Sequence, residues 1–213
     1  VDEVTICKGE SIQLAAGGAT SYLWSPNYNI NATNIYNPIV SPIVDTSYAV
    51  AFTNACGTTH DTVDVYIVEV IGSVNPDTII CPEGQAVLWA SGGVSYSWTP
   101  TGSLSDPNDS ITNANPTTPT LYTVIITDAF GCSMALDTYV DLFDSPVITV
   151  SPAVYAIQGD TVGIWANGSG TIVWTPPIYT YCVECFENYV YPPTEMIYTA
   201  TLTDANGCIA SDI

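Results

Sequence analysis

The chain has 213 residues, with 21 acidic side chains against one lysine, Lys8, for a formal charge of −20. Phosphate contacts and anionic bilayer surfaces require cationic side chains, so nucleic acid is excluded as a partner and binding to an anionic membrane surface is disfavoured; direct membrane insertion is not expected either. An apolar fraction of 47% with only 10% charged residues argues against disorder, and no run approaches the roughly 18 apolar residues of a membrane span.

In chain order, Val4–Cys7 and Ser11–Ala16 read as short strands around the turn KGE, with Ile12 and Leu14 on one face. Gly17-Gly18 then leads into a strand carrying Tyr22 and Trp24, which Pro26 closes. Asn27–Ser41 reads as irregular edge structure, Ser47–Thr53 as a strand with Tyr48, Val50 and Phe52 inward, and Asp61–Val70 as the closing strand. The series then repeats: strands at Asp77–Cys81 and Gln85–Ala90, a Trp98 strand, an irregular segment from Thr101 to Thr118, then Leu121–Asp128 and Met134–Phe143. A third, more divergent copy has Gln158–Asn167, Trp174 and Met196–Asp204, with Ile157 where Cys7 and Cys81 stood. It is expected to stop at Ile213, before a last strand like DTVDVYIVEV and DTYVDLF.

Trp24, Trp98 and Trp174 recur at nearly equal steps, and Tyr48, Tyr122 and Tyr198 keep the same steps, as do Pro26, Pro100 and Pro176. Several residue types sharing one period mark tandem modules, here 1–72, 73–145 and 146–213. Six or seven short strands per module, no helical periodicity and frequent turn signals predict an all-β chain of Greek-key, immunoglobulin-like (Ig-like) sandwiches, with a small barrel as the alternative.

Modules of this size are near the lower limit for one unaided core, and the seven cysteines are the expected reinforcement. Cys7 with Cys56 and Cys81 with Cys132 occupy matched positions near the start and end of a module, and this predicts a disulfide within each of the first two modules. Such bonds place the chain in an oxidising, extracellular compartment, whereas buried free thiols would suit a reducing one. Cys182 and Cys185, in the loop CVEC, are expected to bond locally. A zinc site wants four ligands, and a thioredoxin-like motif belongs at the start of a helix. Cys208 is left without a partner by position.

Catalytic signals are weak. His60 is the only histidine, beside Asp61 ahead of a strand, and reads as a solvated residue with no nucleophile partner. No enzyme activity or cofactor is expected. Asp106, Asn108 and Asp109 in SDPNDS are grouped as in a calcium loop, although an Asx-rich turn is the commoner use of that pattern. Trp89 and Trp165 match each other between the second and third modules. Each follows an inward residue and should face outward, as a contact surface for sugars or a neighbouring chain.

The succession CxGxxxxL, GG, YxWxP, NPxxxP, YxVxxTDxxGC and DTxxV resembles the PKD-like or Ig-like repeats of large Bacteroidota surface proteins, including those of gliding-motility-associated type, across all three modules. The resemblance implies type IX secretion and a cell-surface adhesive or structural role. Partners would be copies of the chain, neighbouring Ig-like modules, or surface polysaccharide; spacer or carbohydrate-binding modules accessory to a secreted enzyme are the alternative. It also implies O-glycans on Asp-Ser/Thr-apolar triplets, making Thr62, Thr78, Ser110 and Thr161 candidates, with Ser110 expected to be the most exposed. Low charge density and outward tryptophans suggest self-association into a fibre, favoured by salt that screens the acidic charge.

Overall fold

A computed structural model describes residues 2–213. Module 1 comprises β1 (Asp2–Cys7), β2 (Ile12–Gln13), β3 (Ser21–Ser25), β4 (Ile39–Val40), β5 (Thr46–Asn54) and β6 (Gly57–Val68). Module 2 comprises β7 (Ser73–Val74), β8 (Thr78–Ile80), β9 (Ala86–Ser91), β10 (Ser95–Thr99), β11 (Ile111–Ala114), β12 (Thr120–Thr127) and β13 (Ser133–Leu142). Module 3 comprises β14 (Thr149–Val150), β15 (Val162–Asn167), β16 (Thr171–Thr175), β17 (Glu187–Val190), β18 (Thr199–Thr203) and β19 (Ile209–Asp212).

Each module divides these strands between two sheets, and among the described residues no sheet is shared between modules. Module 2 has the fullest set, β10-β12-β13-β8 against β11-β9-β7; modules 1 and 3 have β1-β6-β5-β3 with β2-β4, and β16-β18-β19 with β14-β15-β17. The chain is therefore all-β, a tandem of Ig-like sandwiches, and the two-sheet division replaces the barrel alternative. In modules 1 and 2 the first strand of the larger sheet pairs parallel to the last: Cys7 lies opposite Val68, and Ile80 opposite Leu142. In module 3 the corresponding residues Val154–Ile157 are in no strand, and Tyr155 is 96% exposed. A cleft of about 600 Å³ opens beside them, bordered by Val162, Ile164, Met196 and Tyr198.

Two segments expected to be irregular contribute strands. Asn27–Ser41 contains β4, and Thr101–Thr118 contains β11, where Thr112 and Ala114 are buried at alternate positions. Polar Asn and Thr in these stretches conceal the period of two. Conversely, Ser11–Ala16 yields only the short β2.

The recurring aromatics build each core. Trp24, Trp98 and Trp174 are buried, and each indole N–H donates to a carbonyl in the following loop: Ile35, Asp109 and Cys185, at 2.9, 3.0 and 2.9 Å. One side chain thus fills the space between sheets and fixes the loop beyond its strand. Tyr48, Tyr122 and Tyr198 are also buried, and their hydroxyls bond to that same loop, at Tyr28 O, Ser103 Oγ and Ile178 O. Burial pushes the Tyr48 and Tyr198 phenols above their ordinary pKa, with neighbouring tyrosines adding to the effect. Around these anchors pack Leu88, Val124, Ile126 and Val140 in module 2, Val40, Val50 and Val65 in module 1, and Ile172, Val190 and Leu202 in module 3.

Candidate functional site at the module joints

The parallel pairing of β1 with β6 decides where the cysteines can meet. Cys7 ends β1 opposite Val68, at the far end of β6 from the turn that holds Cys56. Across the length of β6, from Gly57 to Val68, the two cysteines are separated by about 35 Å along the strand. A disulfide needs α-carbons within about 7 Å, so the intramodule pair Cys7–Cys56 cannot form. The same geometry rules out Cys81–Cys132, since Cys81 follows the Ile80 carbonyl that bonds Phe143 N, beyond the end of β13, whereas Cys132 precedes its start.

The bonds instead cross the joints. Cys7 pairs with Cys132 and Cys81 with Cys208, with α-carbons 5.4 and 5.3 Å apart and sequence separations of 125 and 127. The far ends of modules 1 and 2 are thereby each tied to the last hairpin turn of the module that follows. Cys208, expected to be unpaired, is half of the second bridge. Cys182 and Cys185 bond to each other within the loop after β16.

Cys56 is the remaining thiol, and it is exposed. In modules 2 and 3 the turn is held by an aspartate: Asp128 Oδ1 accepts from Phe130 N and Cys132 N, and Asp204 Oδ1 from Asn206 N and Cys208 N. In module 1, Asn54 Oδ1 accepts from Cys56 N, so Cys56 occupies the position of Phe130 and Asn206, at the turn's tip. The bridging position is Thr58. A clue lay in the spacing, because the step from Cys56 to Cys132 is longer by two than the step that tryptophan, proline, tyrosine and the turn glycine (Gly57 to Gly131) share between the same modules.

A second contact completes each joint. Gly92, with φ +100°, lies so close to the linker that a β-carbon there would collide with the Ile71 carbonyl oxygen and the Gly72 α-carbon. Gly168 stands in the same relation to Val147, whose carbonyl oxygen would be 2.9 Å from an added β-carbon. Gly18 is the module 1 equivalent, with φ +82° and open space around it. Gly92→Ala is therefore expected to cost about 3 kcal/mol or more, combining left-handed strain with a clash against backbone, whereas Gly18→Ala should cost about 1 kcal/mol from strain alone. Urea melts of the two variants check the difference. The Lys8–Glu69 ion pair at the end of module 1 is half exposed on both sides and contributes little.

The other candidate residues are dispersed. Trp89 and Trp165 face outward at 39% and 44% exposure, behind the buried Leu88 and half-buried Ile164. His60 is exposed on β6 opposite Ala51. Asp106 and Asp109 spend carboxylate oxygens on their own turn, accepting from Asn108 N and from Ser110 Oγ and Ile111 N respectively. Among the described residues no group of three or more His, Cys, Asp or Glu is placed to hold a metal. Ser110 is half-buried and not the open site expected, because Ala90 N bonds its carbonyl and Trp98 bonds that of Asp109. Thr62 and Thr78 lie half-buried in strands, and Thr161 is the exposed member of the set.

No family model matches the chain, and no curated protein matches it. Solved structures with a similar fold include the I67–I69 fragment of the titin I-band, at 12% identity over 97% of this chain and 93% of that one, with a TM-score of 0.42. An E-to-A variant of the same three titin domains gives 11% identity, 98% and 93% coverage and a TM-score of 0.43. The N-terminal eight Ig domains of Down Syndrome Cell Adhesion Molecule give 11% identity, 99% and 39% coverage and a TM-score of 0.35. These are likenesses of fold, and the functional reading rests on none of them.

Proposed function

We propose that this chain is a non-enzymatic, stiffened segment of an extracellular surface protein or fibre. The observation that carries this reading is the placement of two disulfides across joints instead of within modules. An intramodule bond would stabilise each sandwich and leave the linkers free to swing. A bond between the end of one module and the last turn of the next removes that freedom and transmits tension covalently around the linker. Disulfides of this kind persist in oxidising surroundings, which supports an extracellular location.

The motif resemblance supports the finer assignment: a cell-surface, adhesin-like protein of a Bacteroidota bacterium, exported by type IX secretion, of gliding-motility-associated type and carrying O-glycans, of which Thr161 is the most accessible candidate. Self-association would be lateral or end to end, through outward apolar side chains such as Trp89 and Trp165. Such contacts would be non-covalent and favoured by salt that screens the acidic charge.

Small-angle scattering of the oxidised chain and of a Cys7→Ser/Cys81→Ser variant tests the stiffening. The bridged chain should give a narrow distribution of dimensions, and the variant a broader one, both measured in a stabilising osmolyte in which circular dichroism shows the variant's strands retained. Identical distributions would overturn the reading.

A further inference from the structure

The outer face of the β15–β17 sheet in module 3 differs in chemistry from its counterparts. Tyr189 and Tyr191 alternate with the buried Asn188 and Val190, so both point outward. The segment before them runs alongside: Tyr181 N donates to Tyr189 O, and Tyr191 N to Tyr179 O, at 3.0 and 2.9 Å. Between these pairs, Thr180 turns inward to bond Asn188 Oδ1, which leaves Tyr179 and Tyr181 on the outer face as well. The four rings range from 40% exposure at Tyr179 to 71% at Tyr181. Tyr191 lies 6.0 Å from Tyr179, edge to face, and 5.2 Å from Tyr181. Tyr189 leans over Gly163, its partner in register, where a β-carbon would come within 3.5 Å of the ring.

The fold does not require these tyrosines. In module 2 the same backbone bonds, Ser105 N to Asn113 O and Asn115 N to Ser103 O, hold the same frame with serine and asparagine at all four positions. In module 1 the bonds are Asn31 N to Ile39 O and Ser41 N to Asn29 O. Four tyrosines on one surface, with no gain to the core, create a preorganised aromatic platform.

We propose that this platform binds an uncharged polysaccharide. The axial C–H edges of a pyranose carry partial positive charge and meet the negative face of an aromatic ring, while tyrosine hydroxyls bond the ring substituents. Glu187 on the same strand, and a net charge of −20 with Lys8 as the sole basic side chain of Lys or Arg type, oppose an anionic polymer. The exposed aromatic area is roughly 500 Å², below the about 800 Å² per partner of a stable protein interface. It suits a few sugar rings better than a second copy of the chain.

Affinity electrophoresis of the whole chain in gels containing dextran, soluble starch, hydroxyethyl cellulose or laminarin tests this, with alginate as the anionic control. Retardation is expected in at least one neutral gel and not in alginate. Tyr181→Ser with Tyr189→Asn, which restores the serine and asparagine of the second module, should weaken it at least tenfold without changing the thermal midpoint. No retardation in any neutral gel, retardation insensitive to the double substitution, or a concentration-dependent dimer abolished by it would each overturn the proposal.

Discussion

Replacing Cys132 by serine is expected to destabilise the oxidised chain by about 5 kcal/mol, because the bond to Cys7 closes a long loop, with a sequence separation of 125, in the unfolded state. The loss should also change the form of unfolding. With both bridges present, module 1 cannot separate from module 2 without straining a covalent tie, so a urea melt should approach a single transition. Without Cys132, module 1 should melt as a separate step. Cys56→Ser supplies the internal contrast. Its thiol is exposed and unbonded, so its removal should shift stability by no more than about 0.5 kcal/mol. Were the bridges within modules, Cys56→Ser would be among the most damaging substitutions in module 1.

Trp98→Ala should cost about 3–5 kcal/mol, enough to unfold module 2 or leave it marginal. The indole is completely buried among Leu88, Tyr122 and Val124, so its removal leaves a cavity in a core with little spare volume. It also strands the Asp109 carbonyl, which loses its N–H donor and with it the anchor of the segment leading to β11. Trp89→Ala, with the same change of side chain on the outward face of the same sandwich, should cost under about 1 kcal/mol. Equilibrium denaturation followed by circular dichroism separates the two, and comparable losses would contradict the assignment of inner and outer faces.

The contrast between those tryptophans was legible in the sequence, since Trp98 repeats with its tyrosine and proline whereas Trp89 follows an inward leucine. The disulfide pairing was not. Matched positions near the start and end of a module suggest a bond only if the first strand runs antiparallel to the last, which would bring the end of one beside the beginning of the other. Parallel pairing puts Cys7 beside Val68 instead, and neither direction leaves a mark on the alternation of apolar residues. What did remain visible was the lengthened step that moves Cys56 off the bridging position. The tyrosine platform was hidden for another reason: Tyr179 and Tyr181 lie outside any regular strand, where periodicity carries no information. Aligning module 3 with module 2 on their tryptophans would have exposed it, because tyrosine then stands opposite Ser103, Ser105, Asn113 and Asn115.

Disulfide mapping of the unreduced protein is the most direct test of the joint-bridging account. Peptic digestion at low pH keeps thiols protonated and suppresses exchange, and mass spectrometry of the linked peptides then identifies each pair. The expected products are peptides joining Cys7 to Cys132 and Cys81 to Cys208, a local Cys182–Cys185 link, and Cys56 recovered as a free thiol that an alkylating agent labels in the folded protein. Recovery of Cys7 linked to Cys56 and Cys81 linked to Cys132 would contradict it, and with it the stiffened joints.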